Sequence, residues 1–181
     1  ESDLMKMYLR NRQKGAAIFI ALIMLLVMTI IGITASQQTT LEEKMAGNLR
    51  DQTLALQAGE AVLRWTETWV GDQVGEPVPA TSCSPPCDDT VWVLNTLNLT
   101  SAPVWSTASV RSNYTGLPTG PGMVTANPKS VVEEHSFIKD SLNQGKQNDI
   151  SGQMFYRLTA NGTGGTTSAQ ALLQSTYSRR Y

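Results

Sequence analysis

Few residues in this chain have the type and spacing to do chemistry. The single histidine, His135, sits in VVEEHSF beside two glutamates. A Ser-His-Asp hydrolase would have to use it as the base, but no GxSxG elbow accompanies it. A lone histidine in that setting reads as a solvated loop residue. The pairs Asp88-Asp89 and Glu133-Glu134 carry enough charge for calcium, yet neither lies in a DxDxDG-like loop, so both read as solvated acidic turns. Cys83 and Cys87 stand in CSPPC. Dithiol redox centres use two intervening residues near a helix start, and zinc would need two further ligands. The GTGG run at 162–165 lacks the lysine and the strand-to-helix setting of a phosphate loop, so its glycines read as turn residues. Trp65, Trp69, Trp92 and Trp105 could form a sugar-stacking surface, but they read as core, with Trp65 and Trp69 on one helix face. These spacings assign no catalytic residue, no metal site and no cofactor, and no enzyme is expected.

The elements that would position such residues are more informative. The 181 residues suffice for one compact domain, and only 16% are charged, for a formal net charge of −1. That balance argues against a nucleic-acid partner, whose footprint is a basic face. The apolar residues are unevenly spread. Gly15 to Leu41 contains no charged side chain, and Ala16–Ala35 is apolar apart from Thr29, Gly32 and Thr34. As a helix, those twenty residues would span roughly 30 Å, the thickness of a bilayer core. Lys6, Arg10, Arg12 and Lys14 precede the run, whereas polar SQQTT follows it. Residues 1–15 carry a net charge of +2 and the remainder −3. By the positive-inside rule the N-terminus stays cytoplasmic and everything beyond about residue 36 is exported.

No Gly/Pro/Ser linker follows this anchor. Ser36 to Val70 lacks proline and is rich in helix formers, so the helix is expected to run on as an amphipathic continuation over 36–70. Thr39 or Thr40 before Glu42 and Glu43 has the look of a cap, but apolar periodicity on both sides favours continuation. Leu41, Met45 and Leu49 recur at four-residue steps, and Leu49, Leu56, Leu63 and Val70 at seven. That row is expected to pack on the exported domain, with Glu43, Arg50, Asp51, Gln57, Glu60 and Arg64 opposite it. Gly47 and Gly59 are soft points of about 1 kcal/mol each.

Beyond Val70 the texture changes to short apolar stretches separated by turn residues. Gly71–Pro86 reads as loop, Val91–Leu99 as a strand or a strand and turn, and Val104–Trp105 as a further short strand. Residues 116–130 read as a long loop, and 130–140 as a strand with an irregular end or a short helical turn. Residues 154–160 and 168–177 form two strands joined by NGTGGTT, whose glycines supply the positive φ of a hairpin loop. The expected fold class is α+β, with a small antiparallel sheet packed on the helix stripe. Residues 71–181 form the exported globular domain. On the oxidising exported side, a Cys83–Cys87 disulfide is the default, shaping an exposed loop.

KGAAIFIALIMLLVMTIIGITA followed by TTLEEKMAGNLRDQTLALQAGEAVLR resembles the N-terminus of PilX-type minor pilins of bacterial type IV pili. The YRLTANGTGG…ALLQSTY pattern is similar to their last hairpin. The resemblance implies a type IV pilin-like fold and a basic leader, residues 1–15, removed by the prepilin peptidase between Gly15 and Ala16. Ala16 would then become the methylated first residue, and 16–35 the transmembrane and filament-core helix. Most major pilins carry glutamate at the fifth mature position; here that residue is Ile20. A similar absence is typical of the K-type pseudopilin of type II secretion, which caps a tip complex. The resemblance implies a subunit that primes assembly at or near the tip and supports twitching motility, adhesion and DNA uptake. Implied partners are other minor pilins, a tip adhesin, the major pilin, the peptidase and the inner membrane, with no nucleic acid bound directly. The alternatives are a tip-located binding module, whose contacts would lie in the loops at 71–90 and 111–130, and a type II secretion pseudopilin. In a bacterial chain the glycosylation-like triplets at Asn98, Asn113 and Asn161 are chance matches.

Overall fold

The computed structural model of the chain describes residues 14–120, 122–140 and 152–181. Most of the expected leader, residues 1–13, lies outside them. Helix α1 runs from Lys14 to Asp72 without a proline or a break. The chain divides between Gly47 and Asn48 into two compact units.

In the first unit every residue from Gly15 to Gly47 is exposed. The threonines in this stretch do not interrupt the helix, because each hydroxyl donates to a carbonyl one turn back: Thr34 to Ile30 at 2.9 Å, Thr39 to Ala35 at 3.1 Å and Thr40 to Ser36 at 3.1 Å. Thr39 and Thr40 thus act inside the helix and not as caps.

In the second unit, the end of α1 lies against a four-stranded sheet in the order β1-β2-β3-β4: Val91–Val93, Lys129–Lys139, Gly152–Thr163 and Gln170–Arg180. The fold is α+β and pilin-like, but the sheet is mixed. Strands β2, β3 and β4 are antiparallel, whereas β1 runs parallel to β2, with Val91 opposite Val132. Antiparallel pairing suits a short hairpin, while the long excursion over 94–128 lets the chain return in the parallel sense.

Of the two readings of Val91–Leu99, the structure has the strand and turn: β1 ends at Val93 and a turn follows. Asn95 takes a left-handed φ of 61°, and its N–H donates to Glu133 Oε1 at 2.9 Å. Val104–Trp105 is not a strand either, since Ala102–Ser106 form a 3-10 turn. Pro103 sits in its first turn, where a missing N–H costs nothing, and Trp105 Nε1 donates to Leu99 O at 2.9 Å. Lys129–Lys139 is strand throughout, with a register shift between Glu134 and Ser136. His135 is the extra, exposed residue of that bulge.

Successive residues of a strand face opposite ways, so the sheet carries two cores. Val91, Val132, Met154, Tyr156 and Leu158 face Val70 of α1, with Leu63 and Trp69 packed beside them. Trp92 and Val131 point to the other face, where Cys87 from the loop before β1 and Trp105 and Val110 from the excursion cover them.

The expected packing row needs correction. Leu49 and Leu56 are exposed, 66% and 49%, whereas Leu63 is half-buried and Val70 fully buried. The buried seam is instead Ala55, Ala58, Val62, Thr66 and Val70. A straight helix advances about 100° per residue, so a seven-residue repeat slips about 20° at each step. By the same arithmetic Leu49 lies about 120° round the helix from Ala55. Asp51, assigned above to the polar face, falls on the domain side.

Small residues fill this seam because helix and sheet touch backbone to backbone. A methyl group at Gly162 of β3 would lie within 3.0 Å of Ala55 O, Gly59 N and Gly59 Cα. Positive φ among the described glycines occurs at Gly120 and Gly122, not in the β3–β4 loop. The glycines of NGTGG therefore serve close approach more than turn geometry.

Candidate functional site

The surface most distinctive of this protein is the uncharged front of α1. Ile18, Phe19, Ile20, Leu22 and Ile23 are each about 60–70% exposed, and the same holds through Ile33 with small exceptions. The helix is long and apolar enough to cross a membrane, and nothing in its apolar window is buried by the rest of the chain. So much bare hydrocarbon is not stable in water; it needs lipid or other apolar helices around it. Leu41 and Met45 extend the apolar surface in the first unit, and Leu49 and Leu56 present more of it in the second. Gly15 and Ala16 are exposed in the first turn of α1, and a side chain at Gly15 would meet open space. Ile20 is 60% exposed, with no carboxylate in the run around it.

Three polar devices hold the second unit's loops on the helix and sheet. Asp51 Oδ1 accepts the Thr166 N–H at 3.1 Å, and Oδ2 accepts the Thr166 hydroxyl. These bonds, the hydroxyl first, hold the Asp51 carboxyl below its usual range. The loop joining β3 and β4 is thereby clamped to α1. On the sheet, Glu133 is fully buried and pairs with Arg157 directly opposite on β3, at 2.7–2.8 Å. Arg157 also donates to Asn95 Oδ1 at 2.8 Å, closing a triangle with the Asn95–Glu133 bond. Glu133 is therefore a buried partner in an ion pair and not a solvated turn residue. Asp88 does serve a turn, accepting the Ser112 N–H at 2.8 Å.

The third device is Arg111, 2% exposed, whose guanidinium lies 3.8 Å from the Trp69 ring centre and 5.0 Å from that of Trp65. None of its three side-chain nitrogens has a hydrogen-bond partner among the described residues. Burial pushes its pKa down to about 10, against the opposing pull of Asp89 and Asp88. Stacking on tryptophan offsets part of that desolvation. Trp65 and Trp69 are thus half-buried walls of a cation stack, whereas Trp92 and Trp105 are core. Cys83 and Cys87 are disulfide-bonded, with Cα atoms 6.1 Å apart. Cys87 is buried in the second core while Cys83 lies at its edge, so the bridge shapes the loop before β1 where it packs on that core.

Asp51, Arg111, Gly162 and the Glu133–Arg157 pair escape sequence reading. Each acts through a partner between 24 and 115 positions away, as with Glu133–Arg157 and Asp51–Thr166. The one legible signal was Val131-Val132-Glu133 inside a β-rich segment, which places a carboxylate within a strand.

A long helix, apolar in front and seated on a small sheet behind, defines a type IV pilin-like subunit. Residues 14–64 match the family described as PilX N-terminal, and residues 43–179 match the family described as type IV pilus assembly protein PilX C-term. The chain belongs to the PilX family of type IV pilus assembly proteins, and is a minor pilin. It follows that it works as a structural assembly component alongside other pilus components. Searches of curated proteins and of solved structures return no match.

Proposed function

We propose that this minor pilin primes pilus assembly at or near the tip and is not built to repeat along the shaft. The observation that carries the reading is Ile20. It projects from an uncharged helix surface at the position where major pilins carry a carboxylate to pair a neighbour's N-terminal ammonium. A subunit without that carboxylate offers no charge partner to the next subunit, which favours a terminal place. In this reading the prepilin peptidase cuts between Gly15 and Ala16, and Ala16 is methylated. The protein waits as a single-pass, N-in protein of the inner membrane before joining other minor pilins, the major pilin and a tip adhesin. It forms and breaks no bonds itself. Twitching motility, adhesion and DNA uptake depend on it through the pilus.

Mass spectrometry of the mature protein tests the processing: an N-terminus at methylated Ala16 is expected, and an intact leader or a cut at any other position overturns it. Deleting the gene should abolish surface pili. Normal pili with lost adhesion would instead favour a pure binding module, the reading motivated by the irregular segments at 71–90 and 111–130. Ile20→Glu should change the subunit's abundance or position in pili; no change in either would remove the basis for the tip assignment.

A further inference from the structure

The sheet closes one of its edges and leaves the other open. Beyond β1, Ala80 pairs in parallel with Trp92, its N–H donating to Val91 O at 2.8 Å and its carbonyl accepting from Val93 N at 3.0 Å. Pro77 and Pro79, just before it, cannot extend that ladder. The far edge is β4, eleven residues paired with β3 without a register shift. Gly164 N bonds Ala169 O at 2.8 Å and Tyr181 N bonds Gly152 O at 3.3 Å, which marks the bonded pairs at both ends of this hairpin. Bonded and non-bonded pairs alternate in an antiparallel ladder, so the odd-numbered residues of β4 bond to β3. The even-numbered ones, from Gln170 to Arg180, turn their N–H and C=O outward. Among the described residues no strand and no backbone hydrogen bond meets that edge. It has no proline, lysine or bulge to guard it, and its only charges, Arg179 and Arg180, stand at one end.

We propose that the outer edge of β4 takes up an extended strand of another pilus component, laid antiparallel to it. The pairing needs only membership of a pilus and not a place at its tip. The surroundings of the edge define the strand. A methyl group at Gly59 would meet Leu173, and one at Gly71 the Tyr177 hydroxyl, each at 3.1 Å, while Ser175 donates to Glu67 at 2.9 Å. The Glu67 flank of α1 therefore lies over β4, and Trp65 and Trp69, stacked on Arg111, mark the other flank. At about 100° per residue, Leu49 and Leu56 fall within about 20° of Glu67 around the helix, so these exposed leucines border the open edge. A strand added there sets every second side chain against them, which calls for apolar residues in its later part. At the far end Arg180 keeps a side chain 68% exposed beside Asp140, and β4 has no carboxylate of its own. The incoming strand should therefore have Asp or Glu near its start. A second copy of this chain fits poorly. Residue numbers rise together along the contacts of α1 with β4, so the two run in one direction. Antiparallel pairing of β4 with itself would set two helices head to tail, whereas subunits drawn from one membrane point the same way. In-register parallel pairing would set Arg180 beside Arg180.

The test is photo-cross-linking in cells that assemble pili, with p-benzoylphenylalanine in place of Leu172 or Thr176 in the full-length protein and the linked peptides identified by mass spectrometry. Both positions are expected to link to one segment of another pilus subunit, with alternating apolar residues and an acidic residue towards its start. Gln174→Pro removes an outward N–H and no bond to β3, and should cut the yield from Thr176 at least about fivefold, the factor equivalent to one lost hydrogen bond. Gln174→Val keeps the N–H and should retain the yield. Ser178→Pro serves as a second block nearer the end of the strand, and thermal melts in detergent establish which variants fold. Overturning results are no cross-link from either position, links to a second copy of this chain, or equal yields in the folded proline and valine variants. A link to a shaft subunit supports the pairing even where the tip reading fails, and a protein found at the tip that yields no link refutes the pairing alone.

Discussion

Replacing Gly162 with alanine adds one methyl group where the structure has no room for it. The new Cβ would fall within 3.0 Å of Ala55 O, Gly59 N and Gly59 Cα, all of them backbone atoms of α1. A flexible side chain could swing aside, but a helix backbone inside its own hydrogen-bond ladder can only move as a body. The strain must then spread along the seam of Ala55, Ala58, Val62 and Thr66, each at most 1% exposed. Overpacking a well-filled interior costs about 1–3 kcal/mol, and a clash with backbone on every side belongs at the top of that range. With about 2–4 °C per kcal/mol for a protein of this size, the melting temperature should fall by about 6–12 °C. Two further glycines calibrate the experiment. Gly59→Ala meets only the flexible tip of Leu173 at 3.1 Å and Gly162 N at 3.5 Å, while gaining about 1 kcal/mol of helix propensity, so it should be near neutral. Gly47→Ala meets open space and should stabilise the helix by about 0.5–1 kcal/mol. Calorimetry or circular dichroism on the full chain in detergent reads all three. If Gly162→Ala melts within about 1 °C of the parent, the close backbone approach is not what selects glycine there.

Glu133→Ala leaves Arg157 facing a buried gap, and should cost about 3 kcal/mol by chemical denaturation, with loss of the Asn95 turn seen as faster amide exchange there. Arg111→Met keeps the volume between the tryptophans but removes a buried charge without hydrogen-bond partners, so it should be neutral or stabilising by about 1–2 kcal/mol in the same assay. Marked destabilisation would mean that the cation–π stack outweighs desolvation. The Asp51 carboxyl is held below its ordinary value of 3.8, so its contribution is fully present above that pH and is lost as pH falls through the lower folded value. Asp51→Asn should therefore flatten the acid limb of the stability profile below about pH 4, and an unchanged limb would refute the clamp.

Local patterns made much of this fold legible. The uncharged run from Gly15 to Leu41 needs no partner to declare itself, because twenty uncharged and mostly apolar residues make a helix long enough to cross a bilayer. The absence of proline from Ser36 to Val70 likewise carries the helix onward, and alternation marks the last two strands. The seven-residue leucine row misled because equal spacing in sequence is not a constant direction on a 3.6-residue helix. Leu49 and Leu56 are left facing outward, available to the subunit's neighbours, while alanines and a glycine take the domain.

Amino-acid order by itself determined the long helix, its uncharged apolar front and the α+β class, because each depends on residues within a few turns of one another. Tertiary structure alone decided which face of the helix is buried, why Gly162 is a glycine and that Glu133 is an ion-pair partner. It also decided that β1 runs parallel to β2, and that β4 is left at the edge of the sheet. Those features are made by atoms that meet only after the chain has folded, and a meeting across a hundred residues leaves no period in the sequence.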